Sequence, residues 1–163
     1  MDPRLRYGVS IGLSFLTWSL VAKYYFWPVL RAQPGRLGFR PILLLHGLRF
    51  IGLGFIVPGV VSPNLSPAFA TPAAYGDLIA AVLALVCLAF LERGVGVLLL
   101  WAFSIWGTAD LLLAFYNGIS IDLEPGRLGA MYFVTTLLVP LLFVTHVLAF
   151  RMLLTTPDQN TRP

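Results

Sequence analysis

An ionisable side chain inside an apolar segment costs roughly 3 kcal/mol on insertion scales, so those that occur there are the first candidates for chemistry. Six stand in such segments here: Lys23, His46, Arg49, Asp77, Asp110 and His146. His46 and Arg49 are spaced i, i+3 and share one face of a helix. A guanidinium does not deprotonate, so Arg49 needs an anion, carbonyl groups or water around it. Asp110 is the first candidate partner and Asp77 the second. The set Arg49, Asp110, Asp77 reads as a tie that fixes helix packing, or as a proton or ion relay, or as a seat for an anionic ligand. The Cβ of Arg49 tilts toward its own N-terminus, away from Asp110, so contact asks for helix tilt or a bridging water. Lys23 is near enough to a helix end to snorkel.

His46 and His146 are the only histidines. In a five-span topology each falls about 8 Å from the inner end of its helix at 1.5 Å per residue, which puts both at one depth in the same leaflet. Two imidazoles at one depth on different helices could ligate a b-type haem or a transition metal, with Arg36, Arg40 or Arg49 pairing to propionates. The competing reading is that each histidine hydrogen-bonds a neighbouring helix, through Thr145 or a backbone carbonyl. No Cys-x-x-Cys-His motif and no carboxylate cluster stands beside them in the chain. No nucleophile–base–acid constellation, HExxH motif or Walker loop is present, and Gly52-x-Gly54 follows no strand. No catalytic residue is assigned, and whether the protein is an enzyme stays open.

The elements that must position these residues follow from composition. The chain has 163 residues, 58% hydrophobic and 11% charged, with mean hydropathy +0.86. A soluble domain carries about 25% charged residues, and disorder needs low hydrophobicity. Cys87 is the only cysteine, which excludes an internal disulfide framework. The expected class is all-α: a polytopic transmembrane bundle of five helices, about 7–30, 41–61, 72–91, 95–117 and 128–154. Each is near the roughly 20 residues that cross a bilayer. They form one integral membrane domain over 1–163, with a polar tail at 155–163. Thr71-Pro72 and Arg40-Pro41 read as helix starts, Asn117-Gly118 as a stop, and Pro58 and Pro140 as kinks.

The formal net charge is +4. Its basic residues lie between apolar runs and form no stripe, so nucleic acid is not an expected partner. Arg31, Arg36, Arg40, Arg93, Arg151 and Arg162 fall on one side of a five-span topology; Arg4, Arg6 and Arg127 fall on the other. Basic loops stay in the cytoplasm, so the N-terminus is expected outside and the C-terminus inside, in a bacterial inner (plasma) membrane. Leu20 fits a signal-peptide cleavage site poorly, so the first helix is expected to be retained. The tyrosines fall at expected helix ends, Trp27 joins that belt, and Trp18 and Trp106 are expected to pack deeper. Ser10, Ser14 and Thr17, then Ser104, Gly107, Thr108 and Leu111, make stripes suited to helix–helix contact, and Gly47, Gly52 and Gly54 permit close approach.

Pro34-Gly35-Arg36-Leu37-Gly38 recurs as Pro125-Gly126-Arg127-Leu128-Gly129. Upstream, Thr17, Leu20, Tyr24 and Tyr25 align with Thr108, Leu111, Phe115 and Tyr116. In a five-span chain the copies lie on opposite sides, as inverted repeats do in some transporters. The competing reading is that Pro-Gly is a common turn dipeptide. The expected function is a small membrane binding or accessory subunit built on the Arg/Asp site. The alternatives are a haem or metal electron-transfer protein and a small transporter. Its expected partners are the lipid bilayer and other membrane subunits or further copies of itself.

Overall fold

The computed structural model describes residues 2–155. They form five long helical segments: α1 Pro3–Ala32, α2 Gly35–Ile56, α3 Pro67–Ala89, α4 Gly96–Ser120 and α5 Met131–Thr155, all long and apolar enough to cross a membrane. Arg162 and residues 156–163 of the expected tail lie outside the described residues.

Proline chemistry shapes the segments. Asp2 caps α1, accepting the Arg4 N–H at 2.8 Å, with Pro3 at the first position. A π turn at Ala22–Phe26 ends two residues before Pro28, and a second at Val134–Leu138 ends two residues before Pro140. Proline removes the bond to the carbonyl four residues back and collides with it, and a widened turn accommodates both effects. Pro58 does not kink a helix. Helix α2 ends at Ile56 and Val57 is already extended, because a following proline disfavours helical backbone.

Helix α1 begins at Pro3 rather than 7 and α2 at Gly35 rather than 41, and two further boundaries differ from expectation for local reasons. Helix α3 starts at Pro67 after Ser66, so Pro72 lies within it. Ser66-Pro67 carries the same start signature five residues earlier, and Pro72 costs only the bond to the Ala68 carbonyl. Helix α4 runs through Asn117-Gly118 to Ser120. A Cβ at position 118 would meet Leu123 and Phe69 at an ordinary 3.7 Å, so the helix accepts glycine there without needing it. The chain turns instead at Asp122, with φ 50°.

Helix α2 is irregular for a purpose visible in its packing. It is 3-10 over Gly35–Phe39, α over Arg40–Gly47, and 3-10 again over Leu48–Ile56. The tighter 3-10 coil, with Gly47 against Leu85 and Gly52 against Asp77, lets α3 pack closely on it. Around the bundle α2 packs on α3, α3 on α4, α4 on α5 and α5 on α1, with α5 also touching α2. Between Pro3 and Val21, α1 has no fully buried residue. Ser10 on its stripe lies 3.3 Å from the Tyr132 hydroxyl, and Trp18 donates to the Leu137 carbonyl at 3.0 Å. Trp106, expected to pack inside, is exposed, because α4 turns Phe103, Ser104 and Gly107 inward instead. Tyr75 stands two turns inside α3, since that helix begins earlier than its sequence suggests.

The ends of the bundle alternate as the five-segment order requires. At the first pole, Arg4 pairs with Asp122 at 2.7 Å, and Ser62 N and Ala130 N bond the carbonyls of Arg127 and Val60. A Cβ at Gly129, which has φ 54°, would overlap the Val60 carbonyl, so only glycine passes there. At the second pole, Arg36 donates to the Leu91 and Arg93 carbonyls at 3.0 and 2.7 Å, and Arg40 pairs with Glu92 at 3.3 Å. Arg151 stacks on Trp27 at 3.9 Å from the ring centre. One apolar cluster, including Phe39, Leu43, Leu91, Leu100 and Ala149, fills the second pole. Another, including Phe55, Phe69, Leu128 and Met131, fills the first. Along α2, α3 and α5 the interior polar residues lie between the two.

Candidate functional site

All five residues singled out by type and spacing for the site converge in that interior layer. Arg49, from the 3-10 part of α2, is fully buried and forks between two helices. Its Nε donates to Asp77 Oδ1 on α3 at 2.7 Å and its Nη2 to Asp110 Oδ2 on α4 at 2.5 Å. Its Nη1 donates to the Gly107 carbonyl at 3.2 Å. The expected choice between Asp110 and Asp77 is replaced by both at once, each in direct contact with the guanidinium. The 3-10 stretch and its glycines bring α3 close enough for direct contact.

Glycines make the contact possible. A Cβ at Gly52 would overlap the Asp77 carboxylate, and one at Gly76 would overlap that of Asp110. A Cβ at Gly107 would collide with the His146 ring and crowd the Arg49 guanidinium. Each charged group thus lies on a bare stretch of neighbouring backbone. Close-packed interiors have no spare volume to grant such room otherwise.

Behind Arg49 lie the two histidines, both buried, their ring centres 4.3 Å apart and each 5.0 Å from the ring of Phe103. His46 Nε2 is 2.9 Å from Thr145 Oγ1. That hydroxyl already donates back to the Leu141 and Leu142 carbonyls at 2.9 and 3.0 Å. Its one proton is therefore used, and His46 donates from Nε2, which leaves Nδ1 as a lone pair. The hydrogen bond expected through Thr145 is thus formed by His46. His146 has no hydrogen-bond partner for either ring nitrogen, and neither has His46 for Nδ1.

This geometry does not suit haem. Axial histidines stand on opposite faces of a macrocycle, and rings packed 4.3 Å apart against Phe103 leave no slot for one. Arg36 and Arg40 are committed at the second pole, and Arg49 to its carboxylates. Among the described residues no group of three or more His, Cys, Asp or Glu is placed to hold a metal ion. Cys87 is fully buried among apolar neighbours.

A cavity of about 300 Å³ opens beside the triad. Asp77 and Asp110 form its polar floor, and Phe55, Phe69, Leu111, Ala114, Phe115 and Val139 contribute apolar walls. Arg4 and Tyr7 from α1 and Asp122 from the α4–α5 connection line it at the first pole. Arg49 is absent from the lining, because the carboxylates stand between it and the space. Arg4, Tyr7, Asp122 and the three glycines were not marked as site residues by sequence. The acidic stretch 119–124 and the Gly76-Asp77 adjacency are the signals by which Asp122 and Gly76 could have been found; none singles out Arg4 or Tyr7.

A family model described as a domain of unknown function (DUF8737) matches residues 6–154. No curated protein and no solved structure matches the chain.

Proposed function

The chain is a member of this domain family of unknown function, and we propose that it is a five-span integral membrane protein that binds a small ligand within the bundle. The carrying observation is the cavity whose floor is the Asp77 and Asp110 pair and whose walls are apolar. Pockets of roughly 300–1,000 Å³ with few convergent polar groups are the usual form of small-molecule sites, and intramembrane ionisable groups mark ligand and ion routes. The arginine-rich second pole faces the cytoplasm, so the pocket opens outward and the N-terminus is outside. Its binding role fits a free-standing receptor or an accessory subunit alike, in a bacterial inner membrane.

The test is accessibility of the pocket in the membrane-embedded protein. Ala114→Cys in proteoliposomes should react with a small aminoethyl methanethiosulfonate, while the native Cys87 stays inert. An Ala114→Cys protein as unreactive as wild type would remove the pocket reading.

A second reading, transport, draws on the polar groups beyond the pocket. His146 and His46 continue the line past Arg49 toward the second pole, where the Phe39–Leu43–Leu91 cluster closes it. Flux in proteoliposomes that Asp110→Asn or Arg49→Ala abolishes would support it, and unchanged flux would exclude it.

A further inference from the structure

We infer that the pocket selects a small cation carried on an apolar body, an inference that rests on the pocket being a ligand site. Arg49 is screened from the cavity: its side chain is fully buried, each of its nitrogens donates to a protein oxygen, and it is not among the lining residues. The carboxylates are the groups the cavity meets. They keep 12% and 10% of their side-chain surface, and both line the space.

Each carboxylate commits only one oxygen. Asp77 gives Oδ1 and Asp110 gives Oδ2 to Arg49. Asp77 Oδ2 and Asp110 Oδ1 lie against the Gly52 and Gly76 backbones, which supply no N–H donor to them. Neither free oxygen is sealed off inside the protein, and both residues line the cavity, so the acceptor capacity left over is open to whatever fills it.

The charges agree with this. Two ionised carboxylates and one guanidinium leave one negative charge in excess. The groups facing the pair are Arg49 from α2, His146 behind it on α5, and Arg4 with Asp122 at the entrance. The entrance pair sums to zero, so the excess stays at the floor. In low-dielectric surroundings a charge without its counterpart is expensive, and one positive ligand group completes the set. The walls, which include Phe55, Phe69 and Phe115, suit an apolar remainder.

A set of three probes matched in size and differing in charge tests this: benzylammonium, benzyl alcohol and benzoate. Each is taken to equilibrium dialysis against the whole protein in nanodiscs, with empty nanodiscs as reference. Benzylammonium should be retained at least tenfold above benzyl alcohol, and benzoate not above the reference. Asp110→Asn should erase the preference for benzylammonium over benzyl alcohol. Ala114→Leu, which narrows the cavity and touches no ion pair, should reduce retention of every probe that wild type retains. Benzoate held as well as benzylammonium, or benzyl alcohol held equally, would overturn the inference and leave the pocket standing. If folded wild-type protein retains none of the three, the pocket itself is not a ligand site and both readings fall.

Discussion

At the scale of the residue, Arg49 decides the energetics of the interior. A buried ion pair contributes little net stability, because desolvating both partners offsets their attraction, yet deleting one partner strands the other. Arg49→Met leaves Asp77 and Asp110 facing each other unneutralised, and should cost about 3–5 kcal/mol. Adding Asp77→Asn and Asp110→Asn to it should restore most of the loss. Thermal unfolding in detergent measures both variants. A single substitution as stable as wild type would mean that the triad carries no electrostatic coupling. The participants were legible in the sequence because a charge in an apolar run must find a partner. The double fork was not, because it depends on a 3-10 stretch in α2 that arises from packing on α3. His46 with Thr145 was legible by the same reasoning about buried donors; the crowding of the two imidazoles, which excludes haem, was not, since depth along a helix says nothing of rotation about it.

At the scale of the element, bare backbone does what side chains cannot. Gly76→Ala places a methyl group into the Asp110 carboxylate, and overpacking of this kind costs about 1–3 kcal/mol. Gly12→Ala on α1, where nothing lies within 4 Å of the added carbon, should instead be neutral or stabilising by up to about 1 kcal/mol. Melting temperatures of the two variants side by side give the comparison; equal effects would deny the glycines their role. The helices themselves were readable from apolar run length, and their ends less so. Thr71-Pro72 and Ser66-Pro67 are equivalent start signals, and only the packing of Phe69 and Ala70 in the first-pole cluster chooses the earlier one. The π turns ahead of Pro28 and Pro140 leave no mark on sequence beyond the prolines.

At the scale of the whole molecule, the two ends differ in kind. The second pole carries Arg31, Arg36, Arg40, Arg93 and Arg151 against the single carboxylate of Glu92, while the first balances Arg4, Arg6 and Arg127 with Asp2, Asp122 and Glu124. On the proposed orientation, Asp122→Cys should be labelled by an impermeant maleimide in intact cells, and Arg93→Cys only after permeabilisation. The opposite pattern would invert the topology, and labelling of both from outside would break the five-span reading. The repeated Pro-Gly-Arg-Leu-Gly forms a 3-10 turn at each pole, and in both copies the arginine reaches a carbonyl of the neighbouring connection. The positive φ falls on Gly35 in one copy and on Gly129 in the other. The helices that follow diverge, one into 3-10 coil and the other into a π turn.

The first helix fully buries none of its residues from Pro3 to Val21, yet it supplies Arg4 and Tyr7 to the rim of the cavity. Of all the surrounding walls, it is the one whose swing would uncover the least interior. Past the widened turn at Ala22–Phe26, Ala22 and Leu30 anchor the same segment in the second-pole cluster. The bundle is in this sense a four-post frame with a fifth post leaning on its outside.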